Sequence, residues 1–223
     1  DVYKRQSVEC VVAGEQVHAL LINEKLMLTE RSGTVLENLL ISPPTSFTDA
    51  QCEQIRQYAV ECLRAVGLTN AVVHFEFRMT DAGPVVIEIN PRVGGLYVNA
   101  AFRDLAGIDP YQLYLSLLLG EPGVNAQLDA GARQVAQASQ HYSMLAIYPE
   151  HSGHFKGIEG LEWLAQQPAV LEYAQQESGH SIDADIEEHY LLKCWARVDD
   201  AAHAHAVHDA IRHNLRVIID NKG

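Results

Sequence analysis

Several features are scarce in this sequence, and each absence excludes a class of protein. Only four cysteines occur in 223 residues and none forms a CxxC pair, so we expect neither a disulfide framework nor a zinc site. This cysteine usage favours a reducing, cytoplasmic environment. No uncharged apolar run approaches the roughly 18 residues that a membrane span needs. The composition therefore predicts a globular protein with an ordinary core.

Positive charge is also scarce, and the formal net charge is −13. A nucleic-acid partner and an anionic membrane are both disfavoured, because each requires a basic surface. Nucleotide binding stays open, since a divalent cation can supply the positive charge locally. The chain has only five lysines and no glycine-rich phosphate loop. Lys25, placed at the end of a predicted strand, is the one candidate phosphate ligand, and a solvated lysine is the equally good alternative.

Hydrophobic periodicity divides the first half of the chain into strands and helices. Residues 7–13 and 17–22 alternate as two strands, and residues 23–47 read as a loop. A helical stripe predicts a helix that begins after Thr48 as its N-cap and ends near Val66.

The next segment contains the most informative pattern. Strands are predicted over 71–79 and 85–90, and two helices over 98–106 and 110–119. A polar, glycine-containing linker is predicted over 121–133, which makes a domain boundary plausible there.

The remainder reads as a mixture of strands and a helix, so the fold class is α+β. Strands are predicted over 135–148, 170–173 and 190–198, and helices over 161–166 and 200–215. His203, His205, His208 and His213 are expected on the polar face of the last helix. Trp163 and Trp195 are expected in the core of this part.

Three stretches are expected to differ in origin or fold. Residues 1–6 match no following element and are predicted to be a non-native scar. Residues 7–125 are predicted to form one lobe, and residues 133–223 a small α+β domain.

Alternation on the hairpin at 71–92 puts chemically related side chains on one face. His74 and Glu76 share a face of the first strand, and Glu88 and Asn90 share a face of the second. A turn centred on Ala82 would place Glu76 opposite Glu88. Opposed carboxylates lie about 5 Å apart at Cβ and repel one another, so they should share a proton or a cation.

Oxygen ligands of this kind suit Mg²⁺ or Mn²⁺. Asn90 adds a third oxygen donor, and Arg92 adds a fixed cation that can hold a phosphoryl or carboxylate oxygen. Gly94 and Gly95 follow and permit a close approach of the backbone to a ligand. A solvated strand face is the competing interpretation of the glutamates alone, and the combination favours phosphoryl-transfer chemistry.

The string HFEFRMTDAGPVVIEINPRVGG resembles the metal-binding segment of ATP-grasp enzymes. That pattern is a Glu, eleven residues, then Glu-x-Asn-x-Arg, and the resemblance covers about residues 7–120. It implies the C-terminal half of an ATP-grasp fold, an antiparallel sheet with helices, followed by a small domain. It also implies a ligase that uses ATP and Mg²⁺ (or Mn²⁺) to join a carboxylate to an amine through an acyl phosphate.

The resemblance assigns a role to each matching residue. Glu76, Glu88 and Asn90 would bind metal, and Arg92 would hold the transferred phosphoryl group. Ile87 would lie against the adenine, with Lys25 as a further nucleotide ligand. His74, Gly94 and Gly95 would lie near the substrate.

The branch is suggested by the His74-x-Glu76 pair and the Arg-x-Gly-Gly run, which look most like amino-acid (dipeptide) ligases such as carnosine synthase. A carboxylase is disfavoured, because Gly94, Gly95 and Leu96 replace its Gln-Val-Glu stretch. A purine-type ligase and an inactive module that acts only in binding or dimerisation as a homodimer stay as alternatives. We expect small-molecule partners, and a larger parent protein whose N-terminal lobe completes the nucleotide site.

Overall fold

The protein is described by a computed structural model that covers residues 5–220. Within that range the chain forms strands and helices in mixed order. The strands are β1 Arg5–Ala13, β2 Gln16–Arg31, β3 Thr34–Ser42, β4 Ala71–Thr80, β5 Gly83–Asn90, β6 His141–Ile147, β7 Gly153–Glu159, β8 Val170–Gln175, β9 Ser181–Ile182, β10 Leu192–Val198 and β11 Arg216–Asp220. The helices are α1 Asp49–Val66, α2 Val98–Ala106, α3 Pro110–Leu119, α4 Val124–Gln137, α5 Leu161–Leu164 and α6 Ala201–Asn214. The predicted α+β class is confirmed.

The chain separates into two compact units. The first takes in the chain up to Lys25 together with Ser42–Ser139. The second takes in Leu26–Ile41 and the chain from Gln140 onward. Residues 26–41 thus associate with the C-terminal part, which a single boundary near 125–133 does not anticipate. The assignment of separate domains over 7–125 and 133–223 stays a prediction.

The first unit is an antiparallel sheet covered by helix α1. Its strand order is β5-β4-β1-β2. Helix α1 begins at Thr48, whose side chain accepts a hydrogen bond from the Gln51 backbone while the Gln51 side chain accepts one from the Thr48 backbone. The helix buries Ile55, Ala59 and Leu63 against the apolar face of the sheet. The opposite face of these strands is therefore free to carry polar groups.

The second unit has its own core. The C-terminal part of β2 continues into the order β3-β6-β10-β8, and a smaller sheet has the order β11-β7-β9. Helix α6 contributes Ala204 and Ile211 to a core that also contains Leu145. Trp195 is fully buried and Trp163 packs against this core, which confirms their predicted role.

Two predicted irregular segments are in fact regular. The loop predicted over 23–47 is wrong, because β2 continues to Arg31 and turns into β3. Ser32 and Gly33 both have positive φ, 50° and 84°, and two such residues make the tight turn that matches the twist of a hairpin. The linker predicted over 121–133 is also wrong, because helix α4 buries Val124, Leu128 and Val135 at helical spacing.

The predicted boundaries of three helices agree with the structure. Helices α1, α2 and α3 have the predicted bounds. The prediction that residues 1–6 join no element is wrong for its described part, since Arg5 and Gln6 open β1; residues 1–4 lie outside the described range, and their origin stays a prediction. No helix in residues 5–220 is long and apolar enough to span a membrane.

Candidate functional site

Strands β4 and β5 pair in the predicted register at the end of the hairpin that lies away from the turn. Glu76 pairs with Glu88, and His74 pairs with Asn90. The register shifts between Glu76 and Phe77, so that Phe77 pairs with Val86 and Ile87 is the extra residue of a β-bulge. Because Thr80 pairs with Gly83, the turn is not centred on Ala82 as predicted, and the bulge at Ile87 is what brings Glu88 opposite Glu76.

Strand β5 lies at the edge of the sheet, so the two glutamates differ in their exposure to solvent. Glu76, on β4, is 5% exposed, whereas Glu88 is exposed. Ile87 is 39% exposed, an unusual position for a large apolar side chain. An apolar ring or chain could cover Ile87 without any rearrangement of the core.

Glu76 is surrounded by cations. Its Oε1 lies 3.1 Å from Lys25 Nζ and its Oε2 lies 2.7 Å from Arg5 Nε. His74 Nε2 donates to Oε1 at 3.1 Å. Burial alone would raise the pKa of Glu76, but the His74 hydrogen bond and the charges of Lys25 and Arg5 lower the pKa to about 2. Glu76 is therefore a carboxylate throughout the physiological range.

His74 bridges two buried acids. Its Nδ1 donates to Glu9 Oε1 at 2.7 Å, while its Nε2 donates to Glu76. Both ring nitrogens can donate only in the imidazolium form. Burial alone would lower the pKa of His74, but the charges of Glu9 and Glu76 outweigh it and raise the pKa to about 10. His74 thus holds a permanent positive charge between two negative ones.

Glu9 and Asn23 complete the hydrogen-bond network around His74, and neither residue was predicted from the sequence. Glu9 is 0% exposed and accepts a 3.0 Å hydrogen bond from Asn23 Nδ2. Asn23 also donates to Ser7 at 3.0 Å and accepts from Ser42 Oγ. The available signal was the acid itself, since Glu9 interrupts the apolar strand SVECVVA on the face that Ser7 shares.

Lys25 does not lie at the end of a strand, so that part of the prediction is wrong. It lies inside β2 and is 1% exposed. A buried lysine needs a partner, and Glu76 supplies one. The alternative of a solvated lysine is wrong as well.

The exposed part of the hairpin carries the remaining predicted groups. Asn90 Nδ2 donates to Glu88 Oε1 at 2.9 Å, which leaves the amide oxygen of Asn90 available as a ligand. Strand β5 ends at Asn90, so Arg92 belongs to the following turn and is exposed. Arg92 Nη1 donates to the backbone oxygen of Val93 at 3.1 Å.

Gly94 and Gly95 differ in their surroundings. A Cβ on Gly94 would lie 2.7 Å from Val98 Cγ1 and 2.9 Å from Glu9 Oε2, so only glycine fits. A Cβ on Gly95 would meet nothing within 4 Å. Gly94 is thus needed for packing against the buried network, and the predicted contact of both glycines with a ligand stays a prediction.

The donor set fits a hard divalent cation. Two opposed carboxylates and an amide oxygen are the ligands that Mg²⁺ prefers. No group of three or more His, Cys, Asp or Glu side chains that could hold a metal ion is found in residues 5–220, so a site here depends on Asn90 and on a ligand such as phosphate or water. Lys25 and Arg5 compete with such a cation for Glu76.

A comparison with known domain families finds a match that includes this hairpin. Residues 9–100 match the ATP-grasp domain family. This stretch contains the buried network, the opposed glutamates and the Arg-x-Gly-Gly turn. The resemblance seen in the sequence is therefore confirmed.

A curated protein is also similar to this chain in sequence. The chain is 32% identical over 137 residues to "Carnosine synthase 1" of Gallus gallus, which covers 59% of this chain and 14% of that protein. The chain thus spans only a small part of that relative.

Solved structures share the fold. An L-amino acid ligase from Bacillus licheniformis matches with a TM-score of 0.76 and 20% identity, over 97% of this chain and 52% of that one. Phosphoribosylglycinamide synthetase from Anaerococcus prevotii matches with a TM-score of 0.75 and 18% identity, over 99% of this chain and 54% of that one. The predicted ATP-grasp fold is confirmed, and the chain spans about half the length of these structures.

Proposed function

We propose that the protein containing this chain is an ATP-dependent carboxylate–amine ligase that joins amino acids. The observation that carries the proposal is the opposition of Glu76 and Glu88 beside Asn90, in a segment that matches the ATP-grasp family. Opposed carboxylates on one strand pair are costly unless a cation compensates them. Lys25, Arg5 and His74 already compensate Glu76, and metal-bound ATP would bring further positive charge to Glu88 and Asn90.

The proposed reaction has two steps. A carboxylate oxygen of the first substrate forms a bond to the γ-phosphorus of ATP, and the bond from that phosphorus to the bridging oxygen breaks to release ADP. The amine nitrogen of the second substrate then forms a bond to the acyl carbon of this acyl phosphate. The carbon–oxygen bond to phosphate breaks, phosphate leaves, and the nitrogen loses a proton.

Each residue has a proposed part in these steps. Glu76, Glu88 and Asn90 would hold Mg²⁺ or Mn²⁺, which supplies positive charge against the phosphates when bound. Arg92, in an exposed turn beside Asn90, would bind the transferred phosphoryl group through its guanidinium fork. Ile87 and Lys25 would contact the nucleotide.

Substrate positioning is proposed for His74, Gly94 and Gly95. Because His74 is held as an imidazolium, it would attract the carboxylate of a substrate if Glu76 turned toward a metal ion. Gly94 would keep the following turn close to this ring, since a Cβ at this position would lie only 3.1 Å from His74 Nδ1.

The choice of amino acids rests on the relatives. A carnosine synthase is similar in sequence, and an L-amino acid ligase is similar in fold. A purine-type ligase is the second candidate, because phosphoribosylglycinamide synthetase has an almost equal TM-score. Action in the cytoplasm and assembly as a homodimer belong to the proposal as well. A non-catalytic binding module is the competing class.

The test is a screen of phosphate release by the full-length parent protein with ATP and pairs of amino acids. The proposal predicts release that requires two amino acids together and falls to background with either one alone. Release that depends on bicarbonate or on a phosphoribosylamine, with no response to amino-acid pairs, would contradict the amino-acid assignment. No ATP-dependent release with any substrate would favour the binding module.

A further inference from the structure

The second unit contains a polar cavity that uses none of the hairpin residues. Its volume is about 430 Å³, within the range of roughly 300–1,000 Å³ of small-molecule sites. Residues from β2, β3 and α6 line it, together with Tyr148 and Glu150, which follow β6. Small-molecule sites generally combine apolar walls with a few convergent polar groups, and this cavity has both.

His208 is the most informative residue of the cavity. It was predicted on the polar face of its helix, but it is only 4% exposed, so that prediction is wrong. Its Nδ1 donates to Asp209 Oδ1 at 3.1 Å. Its Nε2 is buried without a hydrogen-bond partner in the described part of the chain. A buried polar atom that is left unpaired is costly, so a partner is expected when the site is filled.

The proton positions on His208 define what that partner must be. Asp209 accepts the proton of Nδ1, so the neutral ring presents a lone pair at Nε2. Burial is the largest influence on this side chain and lowers the pKa of His208, which keeps the ring neutral at physiological pH. The group that meets Nε2 must therefore donate a hydrogen bond.

Two arginines bring positive charge to the same cavity. Arg31 Nη1 donates to the backbone oxygens of Pro149 and Ala184 at 2.7 and 3.1 Å, and no carboxylate within residues 5–220 forms an ion pair with it. Arg212 Nη2 lies 3.1 Å from Glu150 Oε1, and the two side chains are 42% and 78% exposed. The cavity thus offers an uncompensated cation together with a carboxylate.

A second compartment, which we call the apolar compartment for its several aliphatic side chains although His151 and Arg216 also line it, adjoins the polar one. It has a volume of about 210 Å³ and shares Tyr148, Glu150 and Arg212 with the larger cavity. Its other walls are mostly aliphatic and include Ile147 and Val217. A ligand that spans both compartments would carry an aliphatic group on one side of its charged groups.

We propose that this cavity binds a free aliphatic α-amino acid. The carboxylate would pair with both Arg31 and Arg212, and the ammonium group would donate to His208 Nε2 and to Glu150. The aliphatic side chain would fill the apolar compartment. This inference does not depend on the proposed ligase function, because it uses only residues of the second unit.

The test is calorimetric titration of the 223-residue chain with L-leucine, alongside 4-methylpentanoate, which has the same carbon skeleton but lacks the amino group. We expect saturable binding of leucine at millimolar concentration or below, and binding of 4-methylpentanoate at least about tenfold weaker. His208→Gln and Arg212→Gln should each weaken leucine binding about tenfold or more. His213→Gln, an exposed change on the same helix, is the matched control and should bind as the wild type does.

Nitrogen-15 NMR spectra of the chain with labelled histidines test whether leucine binds at His208. On adding leucine, the Nε2 signal of His208 should shift while that of His213 stays in place. Arg212 is a surface residue, so Arg212→Gln remains informative if His208→Gln does not fold. The proposal is overturned if leucine gives no saturable heat, if 4-methylpentanoate binds as tightly, or if the His208 signal does not respond at saturation.

Discussion

Replacing Glu9 by Gln should loosen the strands that hold the hairpin. Glu9 is fully buried, lies 2.7 Å from the His74 imidazolium and accepts from Asn23. Removing one partner of a buried ion pair costs about 3–5 kcal/mol when the other charge is left alone. Because the His74 imidazolium still has Glu76 as a partner, we expect a smaller loss of stability, about 2–3 kcal/mol.

Hydrogen exchange is the suitable assay. Both tryptophans, Trp163 and Trp195, lie in the second unit, so their fluorescence does not report directly on these strands. A loss of about 2–3 kcal/mol corresponds to roughly 30- to 140-fold faster exchange of the β1 and β4 amides. Glu15→Gln, an exposed change in the β1–β2 turn, is the control and should leave exchange unchanged. Equal protection in Glu9→Gln and Glu15→Gln would refute the role of Glu9.

Two further predictions concern pH and packing. The pKa of His74 is raised from 6.5 to about 10, so its contribution to stability is complete below pH 6.5 and is lost as the pH rises toward 10. The pKa of Glu76 is lowered from 4.5 to about 2, so its contribution to stability is lost as the pH falls below 4.5. Protection of the β1 and β4 amides, corrected for intrinsic exchange, should therefore be greatest between these limits, and a continuous rise from pH 7 to 10 would contradict the imidazolium. Gly94→Ala should lower the free energy of unfolding by about 1–3 kcal/mol because its Cβ has no room, whereas Gly95→Ala should change it little. Thermal melting of the two variants measures the difference, and equal melting temperatures would contradict the packing.

Two features could be predicted from the sequence because local residue patterns specify them. Thr48 was correctly predicted as the N-cap of α1, and a turn centred on Ala82 predicted Glu76 opposite Glu88. The turn itself is displaced from the predicted centre, and without the bulge at Ile87 it would pair Glu76 with Ile87. The predicted opposition of Glu76 and Glu88 is therefore right, but a bulge that alternation does not reveal produces it.

The remaining errors came from tertiary contacts that alternation and composition do not reveal. Lys25 was placed at a strand end because residues 23–47 were predicted to be a loop, but Glu76 compensates its charge and lets β2 continue through it. Gly131 suggested a linker, yet its missing Cβ allows α4 to pack within contact distance of Ile108 and Ala106. In both cases a residue that is unfavourable locally is accommodated by a partner distant in sequence.

The most direct test of the account is ADP formation by the full-length parent protein carrying Glu88→Gln, measured with ATP, Mg²⁺ and an active pair of amino acids. Glu88 is exposed on an edge strand, so the fold should survive the change, which circular dichroism can verify. Glu61→Gln, an exposed change on α1, is the matched control and should turn over ATP normally. The account predicts that ADP formation is abolished in Glu88→Gln alone. ADP formation at the control rate would contradict the assignment of this hairpin as the metal and nucleotide site.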